Sequence, residues 1–362
     1  MDAPRSQRRA LLVTADLDLL DDVLRLAAAA GAELEVAADL TAARASWATA
    51  PVVLVGGDLA EAAAGSRLPR RDDVVIVGTD LDDAEVWRRA VRLGADHVVF
   101  LPDAEPWLVD LLADAAEGRP RAAPVVGVLG GRGGAGATSL ASALAVTGVR
   151  AGRRTMLIDA DPLGGGIDLV LGGESAGGLR WPELAGTRGR VSGTALRDAL
   201  PRVDELTVLS WDRGDALSIP PEAMAALLAA AERGSDLVVV DLPRRADDAA
   251  RCAMERADVV LLVVPAEVRA AAAAARVATS AGLYCRDLRV VVRGPAPAGL
   301  PAEAVADSLG LPLAGSIKAE PGLAAALERG EPPARRGRGP LAAFCAGFLD
   351  ELQPPAGRPA AA

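Results

Sequence analysis

The chain of 362 residues carries 39 basic against 49 acidic side chains, a formal net charge of −10, with 51% hydrophobic and only 2% aromatic residues. That length suits two domains with ample apolar cores, and the acidic balance disfavours DNA or anionic lipid as a default partner. The scattered Cys252, Cys285 and Cys345 have neither metal nor disulfide spacing and fit a reducing cytoplasm, the apolar stretch at 10–13 is too short for a signal peptide, and no apolar run approaches a membrane span.

Residues 10 to about 116 alternate between strand and helix patterns. Strands are expected at 10–14, 33–37, 51–55, 73–78 and 97–101, and helices at 17–30, 40–48, 82–94 and 104–116, with a weaker one near 58–65. Such alternation implies a parallel, doubly wound α/β sheet over a domain of residues 1–116. Five units of this size resemble the receiver domain of two-component response regulators, although the functional positions depart from that family. The family's phospho-acceptor aspartate should end the third strand, where this chain has Gly56-Gly57, with Asp58 two residues late. Its Lys-Pro pair after the fifth strand is replaced by Leu101-Pro102. Asp16 and Asp18 follow the first strand, where the family's acidic pair binds Mg²⁺, but without an acceptor they read as caps of the next helix. This domain is expected to bind a partner, such as a division, pilus or secretion protein, and not to receive phosphate. Residues 117–124, rich in Pro, Gly and Ala, read as a linker.

A second α/β series opens at Val125. Its strands are expected at 125–130, 155–160, 206–210, 236–241, 258–264 and 287–292, with a weaker seventh at 312–317. Helices are expected at 137–151, 220–232, 245–256, 267–281, 301–309 and 321–329, giving a domain of 125–333. Residues 334–362 supply the end of a loop, a short helix at 341–352 and a Pro/Ala tail of disordered composition. The first strand of this series runs into Arg132-Gly133-Gly134-Ala135-Gly136-Ala137-Thr138-Ser139 and then a helix-compatible run, Leu140 to Val149. Strand, glycine loop and helix form a phosphate cradle, because glycines let amides turn inward and the helix N-terminus adds partial positive charge. Thr138 stands where a Mg²⁺-ligating hydroxyl belongs. The lysine that normally precedes it is Ala137, and the chain's single lysine, Lys318, is remote in sequence.

Three motifs in order resemble the MinD/ParA family. Arg132 to Ser139 is similar to its deviant Walker A loop, Lys-Gly-Gly-x-Gly-Lys-Thr-Thr/Ser; Leu157 to Asp168 resembles its switch I; Val238-Val239-Val240-Asp241-Leu242-Pro243 resembles its Walker B strand. The resemblance covers roughly 125–333 and implies a P-loop fold that binds ATP or ADP with Mg²⁺. It implies that the amides of Gly133, Gly134, Ala135, Gly136, Ala137 and Thr138, with Ser139 following, hold the phosphates. Thr138 would ligate the metal, Asp241 would hold it through water, Asp159 would support its shell, and Asp161 would orient the attacking water. Arg132 takes the place of the lysine that crosses a nucleotide-sandwiched homodimer, and arginine can fork onto phosphate oxygens. Loss of the second lysine at Ala137 implies weaker binding and a rate lowered roughly a hundredfold. The family's base-contacting asparagine is replaced by Arg293-Gly294, which leaves adenine specificity open. A receiver-like domain joined to a MinD-type domain further resembles the CpaE/TadZ proteins of pilus assembly and the actinobacterial septum-site-determining group. That implies a cytoplasmic localisation factor recruited to a pole, a septum or the inner membrane face.

Other readings stay open. Gly131 to Gly136 also satisfies G-x-G-x-x-G, with Asp159 placed 23 residues beyond Gly136, as in a Rossmann-type dinucleotide site. A nucleotide-free scaffold is the other alternative: Ala137 and Arg293 favour it, while Thr138, Asp161 and Asp241 favour a slow ATPase. Asp168 reads equally as an exposed helix residue or a site residue. His97, Trp181 and Trp211 read as packing residues. The helix around Leu341–Leu349 resembles the C-terminal membrane helix of MinD proteins, but Asp350 and Glu351 stand where basic residues are needed, so membrane contact is at most peripheral.

Overall fold

The computed structural model describes residues 9–66, 68–81, 83, 85–116, 123–214 and 218–352. They fall into two compact units that divide between Ala122 and Ala123. Most of the expected linker, 117–122, and the tail, 353–362, lie outside the described residues.

The first unit runs β1 (Ala10–Val13), α1 (Leu17–Ala29), β2 (Leu34–Ala37), α2 (Leu40–Trp47), β3 (Val53–Gly56), α3 (Gly57–Gly65), β4 (Val74–Gly78), α4 (Val86–Leu93), β5 (His97–Phe100) and α5 (Glu105–Ala116). The strands form one parallel sheet in the order β2-β1-β3-β4-β5. β1, β3 and β4 are apolar and buried at every position, as strands covered by helices on both faces must be. Leu19, Val23, Leu108 and Leu112 from α1 and α5 pack one face, while Ala43, Trp47 and Ala63 from α2 and α3 pack the other. Strand order reverses between β1 and β3, so the crevice of this unit lies at their C-terminal ends.

The second unit runs β6 (Val125–Gly130), α6 (Ala137–Arg150), β7 (Thr155–Asp159), α7 (Ile167–Leu171), α8 (Trp181–Leu184), α9 (Gly193–Ala199), β8 (Arg202–Val203), β9 (Leu206–Leu209), α10 (Pro221–Gly234), β10 (Leu237–Leu242), α11 (Asp248–Arg256), β11 (Val259–Pro265), α12 (Val268–Ala281), β12 (Leu288–Arg293), α13 (Ala302–Leu309), β13 (Leu313–Ile317), α14 (Leu323–Leu327) and α15 (Pro340–Leu352). Its sheet has the order β13-β12-β11-β6-β10-β7-β9-β8, parallel except for the edge pair β8–β9. The fold class is therefore the expected one, two doubly wound and mostly parallel sheets. α7, α8, α9 and β8 are absent from the sequence reading. They have 5, 4, 7 and 2 residues, too few to show a helical or strand period.

The structure carries the second unit past residue 333. Leu341, Cys345, Phe348 and Leu349 of α15 share one buried core with Leu140, Ala141 and Leu144 of α6. Arg153 donates to the Leu349 carbonyl at 3.0 Å, and the Leu341 amide donates to Glu320 Oε2 at 3.0 Å. The apolar face that resembled a membrane helix is thus already covered by protein. Among the described residues no helix is long and apolar enough to cross a membrane. Burying Leu341, Phe348 and Leu349 is worth roughly 5–9 kcal/mol, comparable to the whole stability of a typical domain. We expect the chain ended at residue 333 to lose the cooperative urea transition of its second unit, followed by circular dichroism, while the chain ended at 352 keeps it. Matching transitions for the two would show that α15 adds little.

Candidate functional site

All six residues of β6 are buried, so the loop leaves a rigid strand end. The Gly131 amide still donates to the Val263 carbonyl at 2.9 Å before the chain turns away. Gly134 and Gly136 then adopt φ of 71° and 93°, the left-handed region where only glycine is unstrained. The Leu140 amide donates to the Gly136 carbonyl at 3.0 Å, so α6 starts there, with no side chain capping its first amides. Those amides and the dipole face a cleft of about 470 Å³. Its lining contains every loop position from Arg132 to Ser139 together with Asp161, Asp241, Arg244 and Arg293.

β10 lies between β6 and β7, and its register pairs Asp241 with Asp159 on the neighbouring strand. Both carboxyls are buried. Asp159 accepts the Asp161 amide at 3.1 Å and the Ile167 amide at 3.2 Å. Burial pushes its carboxyl up to about 7, with the two amides opposing and the Asp161 and Asp168 charges adding. Asp241 is held well above the usual carboxylate range, first by burial and then by Asp159, against a hydrogen bond from the Thr138 hydroxyl. A hydroxyl and a carboxylate placed together beneath a phosphate loop are hard oxygen donors, which suits Mg²⁺. That ion is commonly held by one or two carboxylates plus phosphate oxygens, with no cage of side chains. The described residues contain no group of three His, Cys, Asp or Glu side chains able to hold a metal. Asp161 sits at the cleft mouth, its carboxylate accepting the Leu163 amide at 3.0 Å.

Trp181, read from sequence as packing, also positions this site: its Nε1 donates to the Asp159 carbonyl at 2.6 Å, and its ring lies 6.1 Å from that of Trp211. Asp168 is a buried residue, not an exposed one, and it is gripped by Arg213 at 3.0 Å and Arg180 at 3.4 Å. That clamp pins the segment after β7. The Rossmann alternative needs an acid facing a ribose, but the Asp159 carboxylate is turned into the interior, bonded to two amides and beside Asp241.

The loop's cations differ in setting. Arg132 pairs with Glu267 at 3.0 Å, with the two side chains 39% and 36% exposed. At that exposure a pair is worth about 0–1 kcal/mol, so a phosphate can displace the carboxylate. Arg293 stood in the sequence reading only for a lost base contact. Its guanidinium in fact lies over Gly136, where a Cβ would come within 2.7 Å of its Nη1. Contact between Arg293 and the loop is invisible in the sequence because 156 positions separate Arg293 from Ala137.

In the first unit the Asp16 carboxylate caps α1 by accepting the Asp18 and Leu19 amides, as expected. Asp58 accepts the Thr14 hydroxyl and the Ala15 amide, each at 2.8 Å. A side chain at Gly56, where an acceptor would stand, would collide with Asp58 and Thr14. His97 packs edge-on against Trp107 at 5.1 Å.

Comparison with known proteins agrees with both units. Residues 13–123 match the family described as Rv3660c-like, CheY-like N-terminal domain. The protein Rv3660c of Mycobacterium tuberculosis (strain ATCC 25618 / H37Rv) is 44% identical over 321 residues, which span 87% of this chain and 90% of that protein. Among solved structures, the MinC:MinD cell division protein complex of Aquifex aeolicus is 25% identical with a TM-score of 0.53, covering 65% of this chain and 99% of that one. The septum site-determining protein MinD complexed with Mg-ADP from Pyrococcus horikoshii OT3 is 20% identical with a TM-score of 0.55, covering 65% of this chain and 98% of that one. The chain belongs to the Rv3660c-like family, and it is a MinD/ParA-like protein with a receiver-like N-terminal domain.

Two outcomes follow from this geometry. Acetyl phosphate should leave the intact mass unchanged, because Asp58 is engaged and position 56 is closed; a stable phosphoryl adduct on Asp58 would refute this. Asp241→Asn should raise the melting temperature of the metal-free protein at pH 8 and do little at pH 5. A carboxyl whose folded affinity for the proton is raised lends stability that is present at low pH and lost as pH rises, and the amide escapes that loss. An equal gain at both pH values would exclude a charge effect.

Proposed function

We propose that the second unit binds a nucleoside di- or triphosphate with Mg²⁺ and hydrolyses it slowly or not at all. On this reading the chain is a cytoplasmic positioning or regulatory protein of the MinD/ParA type. The observation that carries it is the single cleft shared by the uncapped start of α6, Thr138, Asp161 and Asp241. The amides from Gly133 to Thr138 would bind phosphate oxygens. Thr138 and Asp241 would hold the metal, which neutralises phosphate charge when bound, while Asp159 supports that shell from below. Asp161 at the cleft mouth would orient water. An adjoining pocket of about 270 Å³ shares Gly136, Ser139 and Arg293 with the phosphate cleft and adds Leu140, Pro295, Ile317 and Leu323, a lining suited to a planar base. The Mg-ADP held by the Pyrococcus horikoshii MinD supports the ligand class.

Arg132 would exchange Glu267 for the phosphates of a second copy in a nucleotide-dependent homodimer. The receiver-like unit would choose the partner. Trp87 and Val91, one turn apart on α4, are exposed large apolar side chains and form the contact face we assign to it. Division, pilus or secretion proteins are the proposed partners, and a pole, a septum or the inner membrane face the proposed site, as in the CpaE/TadZ and septum-site-determining proteins that this domain order resembles.

Calorimetry on the intact chain should detect ATP and ADP, more tightly with Mg²⁺ than without, alongside little phosphate release. ATP should also shift light scattering towards a dimer, and Arg132→Ala should abolish that shift. Binding of NAD with no response to ATP or ADP would replace this reading with a dinucleotide site. A response to none of these would leave a nucleotide-free scaffold.

A further inference from the structure

The phosphate loop lacks its lysine, yet the fold brings an arginine to it from another strand. Arg293 ends β12, on the edge of the sheet where β6 and β11 also deliver their C-terminal residues. From there the side chain runs back to the start of α6. Its Nη1, Cδ and Cζ would lie 2.7, 3.5 and 3.6 Å from a Cβ at Gly136. The guanidinium therefore rests on a residue whose missing side chain makes room for it. Gly136 is needed both for its left-handed turn and for this approach.

This arginine has no acceptor among the described residues. Its Nε is buried and unsatisfied, and among the described residues no hydrogen bond or ion pair is made by its side chain. Arg89, Arg132, Arg197 and Arg233 also have a buried, unsatisfied Nε, but the guanidinium of each finds another acceptor. Arg289, four residues earlier on the same strand, is paired with Asp287 at 2.6 Å. Buried donors left unpaired carry a substantial desolvation penalty, so an anion arriving there gains what the protein leaves unmade. Arginine remains charged, and its planar fork matches two oxygens of a phosphate. Arg293 also lines both the phosphate cleft and the adjoining apolar pocket, the place where a phosphate chain meets its nucleoside.

We propose that Arg293 is the phosphate-clamping cation of this loop, supplied by β12 in place of the lysine absent at Ala137, and that its ligand is the polyphosphate of a nucleoside di- or triphosphate. The inference rests on the reading of the cleft as a nucleotide site. Arg244, exposed and lining the same cleft near Gly133, is the comparison that separates a specific clamp from general positive charge.

The test measures dissociation constants of Mg-ATP, Mg-ADP and inorganic tripolyphosphate for the intact chain. Arg293→Ala should weaken all three by about tenfold or more, the loss expected for a charge-assisted pair. Arg293→Lys should retain part of the affinity, and Arg244→Ala should change it less than Arg293→Ala does. Ala137→Lys should rescue Arg293→Ala by a larger factor than it improves the parent, because the two cations serve the same oxygens. Ligand-free melting curves establish that each variant folds, with Arg293→Met replacing Arg293→Ala if the latter does not. A parent that binds and an Arg293→Ala variant that binds equally well would overturn the clamp alone. An Arg244→Ala loss as large as that of Arg293→Ala would reduce the clamp to a general field and overturn it too. A parent that binds none of the three ligands would overturn the nucleotide reading and the clamp together.

Discussion

Insertion of β10 between β6 and β7 is the constraint on which the second unit depends. Its register sets Asp241 beside Asp159 on one side and alongside the strand that feeds the glycine loop on the other. Were β10 to slip by one residue, Asp241 would turn to the opposite face of the sheet and leave Thr138 without its partner. The strands are therefore apolar to their last residues, so that the register is fixed by burial, and the charged positions come only where the sheet ends. Burial raises both carboxyls above the usual carboxylate range, so their charged forms are disfavoured when nothing neutralises them. That penalty is what a metal and a phosphate chain would relieve.

The same logic explains how the surrounding residues are spent. Trp181 braces the backbone of Asp159, the Arg180 and Arg213 pair locks Asp168, and together they hold the segment that follows β7. Arg132 is kept in a weak surface pair with Glu267, while Arg293 is kept without any. An arginine held by a surface carboxylate exchanges partners easily. An arginine held by none is poised from the outset. At the crevice of the first unit Asp58 is engaged by Thr14 and Ala15, and Gly56 leaves no room for a side chain.

Much of this could be read before any coordinates, and the division follows from range. Long apolar strands such as Val259–Pro265 and Val125–Gly130 announce themselves because burial on both faces makes every position apolar. The turn from Arg132 to Ser139 is legible because its signal is local: two positive-φ glycines and the start of α6 lie within a few residues. Asp159 and Asp241 are legible as acids where apolar strands end, with Asp161 two residues past the first of them. What escaped has no local signature. α7, α8 and α9 are shorter than the period that would reveal them. α15 was seen as a helix, but that its apolar stripe meets α6 and not a membrane depends on the fold. Asp168 reads equally as an exposed or a site residue in the sequence, because a buried aspartate is identified only by its arginines. Arg293 looked like a loss because its gain lies in a contact across the sheet.

Moving the cation from the loop to β12 has a chemical consequence. A lysine on the first turn of α6 has a flexible stem and can follow charge as it migrates between phosphate oxygens. An arginine anchored at a strand end, with its aliphatic part against Gly136, offers a fixed plane. Only interactions that strengthen in the transition state accelerate a reaction, whereas those made equally with the ground state improve binding alone. A fixed clamp at the junction of phosphates and nucleoside belongs to the second kind. On this account the replacement of lysine by alanine need not abolish nucleotide binding. It separates binding from turnover, and a protein that must hold one state long enough to mark a position in the cell would be served by that separation.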